Sequence, residues 1–126
     1  MNPLSDLPEA EKPMPEYCSR YHRASEMVGR RWAPSILRAL LVRPHRFNEL
    51  LHTIPGVSDR LLTERLRDLE EAGLVLRHVS TGRPVYVEYS LTEAGADLGR
   101  VVGALRDWAI RWMPPEGWPV NASKEG

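Results

Sequence analysis

The chain has 126 residues, 17 Lys plus Arg against 17 Asp plus Glu, and 42% hydrophobic residues, which suits one domain with a single core. No apolar run approaches the ~20 residues of a membrane span, and the acidic, proline-rich start MNPLSDLPEAEKPMPEY does not read as a secretory signal, so the expected location is the cytoplasm. The single cysteine, Cys18, excludes an internal disulfide and a cysteine-cluster metal site.

Residues 1–16, rich in proline and without a helical period, read as a loose arm. One folded domain is expected over 17–113 and a tail over 114–126. A first short helix runs from about Tyr21 to Val28 and ends at Gly29. Trp32, Ile36, Leu37, Leu40 and Leu41 form the stripe of a second helix. Pro34 suits its first turn and Pro44 cannot continue it. Phe47, Leu50, Leu51 and Ile54 mark a third helix, broken by Pro55-Gly56-Val57.

Ser58 is a good N-cap for a fourth helix, and Asp59 complements its positive end. Leu62, Leu66 and Leu69 form its buried stripe, and Gly73 is placed for a left-handed cap. Two helices joined by a glycine-containing turn make a helix-turn-helix. The period then changes. Residues 74–79 read as a strand, 80–84 as a turn, and 85–90 as the returning strand. Such a hairpin is a wing. Thr92 caps a last helix that runs to about Met113, where Pro114-Pro115 stop it. The fold class is mainly α with a small β-hairpin, a winged helix-turn-helix.

The neutral total charge is unevenly spread. Residues 1–17 carry one Lys and four acids, net −3. Residues 18–83 carry twelve Arg and seven acids, net +5, and residues 84–126 carry four bases and six acids, net −2. Arg is the side chain best suited to forked contacts with phosphate and guanine edges. On the fourth helix Ser58, Asp59, Arg60, Thr63, Glu64 and Arg67 face away from the leucine stripe. In a helix-turn-helix these positions meet DNA. Arg60 is long enough to fork onto a guanine. Thr63 suits a thymine methyl or a phosphate, and Ser58 suits a phosphate. Arg46 and Asn48, opening the third helix, suit phosphates, and Arg83 at the wing tip suits a minor groove. Arg30 and Arg31 either join that side or flank Trp32. The competing reading is a solvated face paired through Arg60–Glu64 and Glu64–Arg67.

The last helix carries Leu98, Val101, Leu105, Trp108 and Trp112 at heptad spacing, a seam for a second copy of the chain. Gly95, Gly99 and Gly103, every fourth residue, would let another helix approach closely. Cys18 opens the first helix near Arg20, His22 and Arg23, a setting that favours a reactive thiolate; the competing reading is a half-buried structural cysteine. The remaining histidines, His45, His52 and His78, have no ligand spacing and read, with His22, as surface or cap residues. No metal, cofactor or catalytic constellation is present in the sequence, so no enzyme activity is expected.

The stretches GRRW, ILRALL, RFNELLHTIPGVSDRLLTERLRDLEEAGLV and VEYSLTEAG, in that order over roughly residues 17–112, resemble the HxlR family of bacterial winged-helix regulators. The resemblance implies sequence-specific binding of double-stranded DNA by a homodimer. It also implies a final helix pairing with the partner's N-terminal helix, which places Tyr21 in the interface. A palindromic operator and repression are the expected mode. Some members sense quinones, aldehydes or oxidants through a cysteine near the N-terminus. Counted back from Trp32, that position falls on Ser19, one residue after Cys18. A small effector held by Tyr17, Tyr21, Trp108 and Trp112 is the alternative trigger. The rival function is a winged helix that binds only other proteins.

Overall fold

The computed structural model describes residues 6–11 and 16–117. Most of the expected arm, and the tail beyond residue 117, lie outside the described residues. The elements are α1 (Ser19–Val28), α2 (Ala33–Val42), β1 (His45–Arg46), α3 (Phe47–Thr53), α4 (Asp59–Glu71), β2 (Val75–Val79), β3 (Val87–Leu91) and α5 (Glu93–Trp112).

Local chemistry sets the helix ends. Cys18 caps α1, its Sγ accepting from the Tyr21 N–H at 3.5 Å. The first helix thus begins two residues earlier than its apolar pattern suggests. Ser58 Oγ accepts from the Leu61 N–H at 3.1 Å, and Thr92 Oγ1 accepts from the Gly95 N–H at 3.0 Å. Each cap satisfies a donor that the first helical turn leaves free. Thr92 also donates to the Gly73 carbonyl at 2.7 Å, tying the start of α5 to the end of α4. Gly73 has the expected left-handed backbone, φ +78°.

The core is the meeting of the leucine stripes. Ile36, Leu37 and Leu40 from α2, Leu50 and Ile54 from α3, and Leu62, Leu66 and Leu69 from α4 are buried together with Leu74, Val75 and Val102. Burying each such side chain stabilises by roughly 1.5–3 kcal/mol. The core therefore holds the helix-turn-helix as a rigid body.

The sheet has three strands, not two. It is antiparallel in the order β1-β3-β2. β1 pairs His45 with Tyr89 and Arg46 with Glu88, and β2 pairs Val75 with Leu91 through Val79 with Val87. A two-residue strand has no period of its own, so β1 is invisible until β3 is beside it. His45, expected as a surface or cap residue, is buried within β1, and its Nδ1 donates to the Arg43 carbonyl at 2.7 Å. The returning strand starts at Val87, not Val85. Ser80 closes the hairpin two residues earlier: its N–H donates to the Tyr86 carbonyl at 2.9 Å and its Oγ accepts from the Tyr86 N–H at 2.9 Å.

Trp32 precedes α2 rather than joining it. Its φ is +75°, a conformation that costs a residue with a Cβ about 1–2 kcal/mol. Its ring packs toward Gly56 in the turn between α3 and α4, where an added Cβ would come within 3.3 Å of Trp32 Cη2.

Candidate nucleic-acid interface

The polar side of α4 is open to solvent. Ser58, Asp59, Arg60, Thr63 and Arg67 are exposed and Glu64 is half-buried, while Leu62, Leu66 and Leu69 face the core. The Arg60 side chain is 88% exposed, and its Nε meets Glu64 Oε1 at 3.3 Å. A pair that open to water contributes little and can be exchanged for a base edge. Arg67 makes no ion pair among the described residues. The salt-paired reading of this face therefore holds only for Arg60–Glu64.

Hydrogen bonding sorts the hydroxyls. Ser58 Oγ spends one lone pair on the Leu61 N–H and keeps its proton free to donate. Thr63 Oγ1 already donates to the Asp59 carbonyl at 2.8 Å, which leaves its methyl and its acceptor capacity. Asp59 sits in the first turn, where its charge suits the helix end.

α3 supplies a second edge. Arg46 and Asn48 are both exposed at its start. The Arg46 backbone N–H donates to Glu49 Oε1 at 2.9 Å, and Arg43 Nη1 meets Glu49 Oε2 at 3.1 Å. The backbone hydrogen bond, with the Arg43 guanidinium beside it, holds the Glu49 carboxyl below its ordinary value. The Arg46 guanidinium lies over the Tyr86 ring, 3.9 Å from its centre. Arg83 is exposed in the loop between β2 and β3 and lines, with Arg46, one cleft at the foot of the wing. Tyr86 escaped the sequence reading because forty positions separate it from Arg46 and nothing local links them.

Arg30 and Arg31 stand apart from this face. Arg30 Nη1 meets Asp68 Oδ2 at 2.9 Å, and Arg31 stacks on Trp32 at 4.9 Å. Arg65 joins both, meeting Asp68 at 3.3 Å and donating from Nε to the Arg31 carbonyl at 2.8 Å. These links fasten the junction of α1 and α2 to α4.

The expected seam on α5 is partly free. Val101, Leu105 and Trp108 are exposed, Trp112 is half-buried, and Leu98 packs partly against the core of its own chain. The glycine line serves that core too. Gly95 abuts Leu74 and Gly99 abuts Leu41 of α2, whereas a Cβ at Gly103 would meet nothing within 4 Å. The helix that approaches closely there is the chain's own α2. No residue of α1 is fully buried, and Tyr17 and Tyr21 are exposed. A cavity of about 240 Å³ between α1 and α4 is lined by Met27, Arg30, Arg65, Asp68 and Leu69 among others, not by Tyr17, Tyr21, Trp108 or Trp112.

Among the described residues no group of three or more His, Cys, Asp or Glu is placed to hold a metal ion, and no helix is long and apolar enough to cross a membrane.

The helix pair α3–α4 beside a three-stranded sheet that carries the wing hairpin, a free arginine-bearing helix face and basic residues at the wing define a winged helix-turn-helix DNA-binding regulator. Residues 27–117 match the family model for the HxlR-like helix-turn-helix, and the chain belongs to the HxlR family of transcriptional regulators. It is 39% identical over 100 residues to the HTH-type transcriptional regulator YvaP of Bacillus subtilis (strain 168), covering 79% of this chain and 93% of that protein. Identity to the HTH-type transcriptional regulator YodB of the same organism is 38% over 98 residues, 78% of this chain and 88% of YodB. Among solved structures it is similar to the reduced form of YodB, with a TM-score of 0.70 and 37% identity over 80% of this chain and 99% of that one. It is also similar to the redox regulator HypR in its reduced form, with a TM-score of 0.69 and 33% identity over 74% of this chain and 92% of that one.

Proposed function

We propose that the chain acts in the cytoplasm as a homodimeric repressor that binds a palindromic operator, with α4 of each subunit in the major groove of one half-site. The observation that carries this reading is the free polar side of α4, where Arg60 and Arg67 stand clear of the protein's own body. Arg60 reads a guanine, Thr63 a thymine methyl, Arg67 and Asp59 the neighbouring positions. Ser58, Arg46 and Asn48 hold phosphates, and Arg83 enters the adjacent minor groove. The exposed Val101–Leu105–Trp108 stripe, with Trp112, needs cover, and so does α1, which buries no residue fully. A ten-residue helix is marginal alone in water. A second copy, pairing α1 and its Tyr21 with α5, covers both and sets two α4 helices about one DNA turn, ~34 Å, apart. A dimer bound across a promoter blocks polymerase without an activating surface.

In-vitro selection from a random duplex pool, followed by anisotropy titration, tests the reading. Arg60→Ala relaxes preference at one base pair of each half-site, costing about 1–3 kcal/mol there. Arg67→Ala weakens the same half-site. Unchanged preference in Arg60→Ala means that a different face reads the bases.

A second reading concerns the signal. Cys18 caps α1 through its sulfur, and relatives include HypR, described as a redox regulator, and YodB, solved after diamide treatment. Diamide oxidises Cys18 and Cys18 of the partner subunit to an intersubunit disulfide, taking up the two electrons and two protons itself, and an electrophile alkylates the thiol with loss of its proton; either removes the cap and alters α1, hence the dimer. Diamide then lowers operator affinity in the parent and not in Cys18→Ser. Equal loss in both would place the sensitivity elsewhere.

A further inference from the structure

The cleft at the foot of the wing is, we propose, a clamp for one phosphodiester of the DNA backbone, and Tyr86 is the residue that positions its arginine. This rests on the reading that the helix-turn-helix faces a duplex.

The cleft measures about 280 Å³ and is lined by Arg46, His78, Ser80, Thr81, Arg83 and Tyr86, with Gly82 and Pro84, and by no carboxylate. Among the described residues no acid forms an ion pair within 4 Å with Arg46 or Arg83. Glu49 is held by the Arg46 backbone N–H and by Arg43. Glu88 stands opposite both Arg46 and His78 in the strand register yet pairs with neither within 4 Å. An anion entering the cleft therefore meets the Arg46 guanidinium, the His78 imidazole and the hydroxyls of Ser80, Thr81 and Tyr86, while Arg83, which also lines the cleft, is left to the minor groove.

Tyr86 determines how Arg46 presents itself. Two hydrogen bonds to Ser80 hold the Tyr86 backbone at the mouth of the hairpin, from which its ring projects beneath Arg46. Arg46 lies on its face, 3.9 Å from the centre. Stacking occupies the face of a guanidinium and leaves its N–H edge free, the edge that forks onto a phosphate. It also fixes a long side chain before binding, so less rotamer freedom is lost when the phosphate arrives. The occupant is the DNA backbone because the cleft joins the first residue before α3 to the wing, two parts of one DNA-binding unit.

The test is anisotropy with a fluorescein-labelled duplex of random sequence, about 20 base pairs or two turns long, over a NaCl series, since a backbone contact needs no operator. Tyr86→Phe keeps the stack and binds within about twofold of the parent. Tyr86→Leu keeps apolar bulk, loses the stack and binds about fivefold more weakly. Arg46→Ala lowers the salt slope by about one, and adding Tyr86→Leu to it weakens binding no further. Arg46→Lys, which keeps the charge and the surface position, also binds several-fold more weakly, which covers the case of a misfolded Tyr86→Leu. Inorganic phosphate at constant ionic strength does not compete. Additive losses in the double variant, a lysine as good as arginine, or competition by free phosphate would each overturn the clamp. The base preference tested with Arg60→Ala is read separately and stands or falls without it.

Discussion

Gly95 and Leu74 touch so closely that no side-chain carbon fits between them. A Cβ at Gly95 would overlap the Leu74 carbonyl oxygen and lie 3.1 Å from Leu91 Cδ2. This contact seats α5 on the residue that leads into β2. Gly95→Ala should therefore destabilise the fold by about 2–3 kcal/mol. Gly103→Ala, in open space, should stabilise by up to about 1 kcal/mol through helix propensity. Urea unfolding of the two variants measures both.

The cap of α4 gives a second prediction. Ser58→Ala removes the acceptor of the Leu61 N–H and should cost about 1 kcal/mol of stability. It should also weaken binding to all duplexes alike, because a phosphate contact carries no sequence information. Urea unfolding and anisotropy on matched and scrambled duplexes separate the two effects.

How far such features could be read from the sequence depends on their range. Ser58, Leu62, Leu66, Leu69 and Gly73 announce α4 because cap, stripe and stop all lie within sixteen residues. The same holds for Thr92. β1 could not be read, since His45 and Arg46 become a strand only by pairing with Tyr89 and Glu88. The burial of His45 and the Arg46–Tyr86 stack follow from that pairing and were hidden with it. Trp32 carried the right spacing for a helix and still fell outside it, because its ring is held against the Gly56 turn. The three glycines of α5 predicted a helix along their whole line, but only Gly99 meets one, at Leu41 of α2: Gly95 meets Leu74 and Gly103 faces open space.

Leu105 is the centre of the uncovered α5 stripe. Leu105→Arg should shift the proposed homodimer to monomer in sedimentation equilibrium and lower operator affinity at least tenfold, because one half-site then binds without its twin. The fold should survive, as Leu105 lies outside the core. A monomeric parent would remove the need for the interface.

Glu49 gives the pH dependence. Its backbone hydrogen bond to Arg46, with Arg43 beside it, lowers its folded pKa below the ordinary 4.5. The unfolded state then takes up its proton first on acidification. The contribution is present in full above the unfolded value and is lost as pH falls through the folded one. Thermal midpoints should fall more steeply below about pH 4.5 for the parent than for Glu49→Gln. Equal slopes would show the carboxylate is not held in solution.

Guanine N7 lies in the major groove, where its methylation blocks a forked arginine. Methylation interference on the selected operator is thus the most direct test of where α4 sits. The account predicts one interfering guanine per half-site for the parent, lost in Arg60→Ala, with the two sites about one turn apart. Full binding to duplexes methylated at every N7, or interference unchanged by Arg60→Ala, would contradict it.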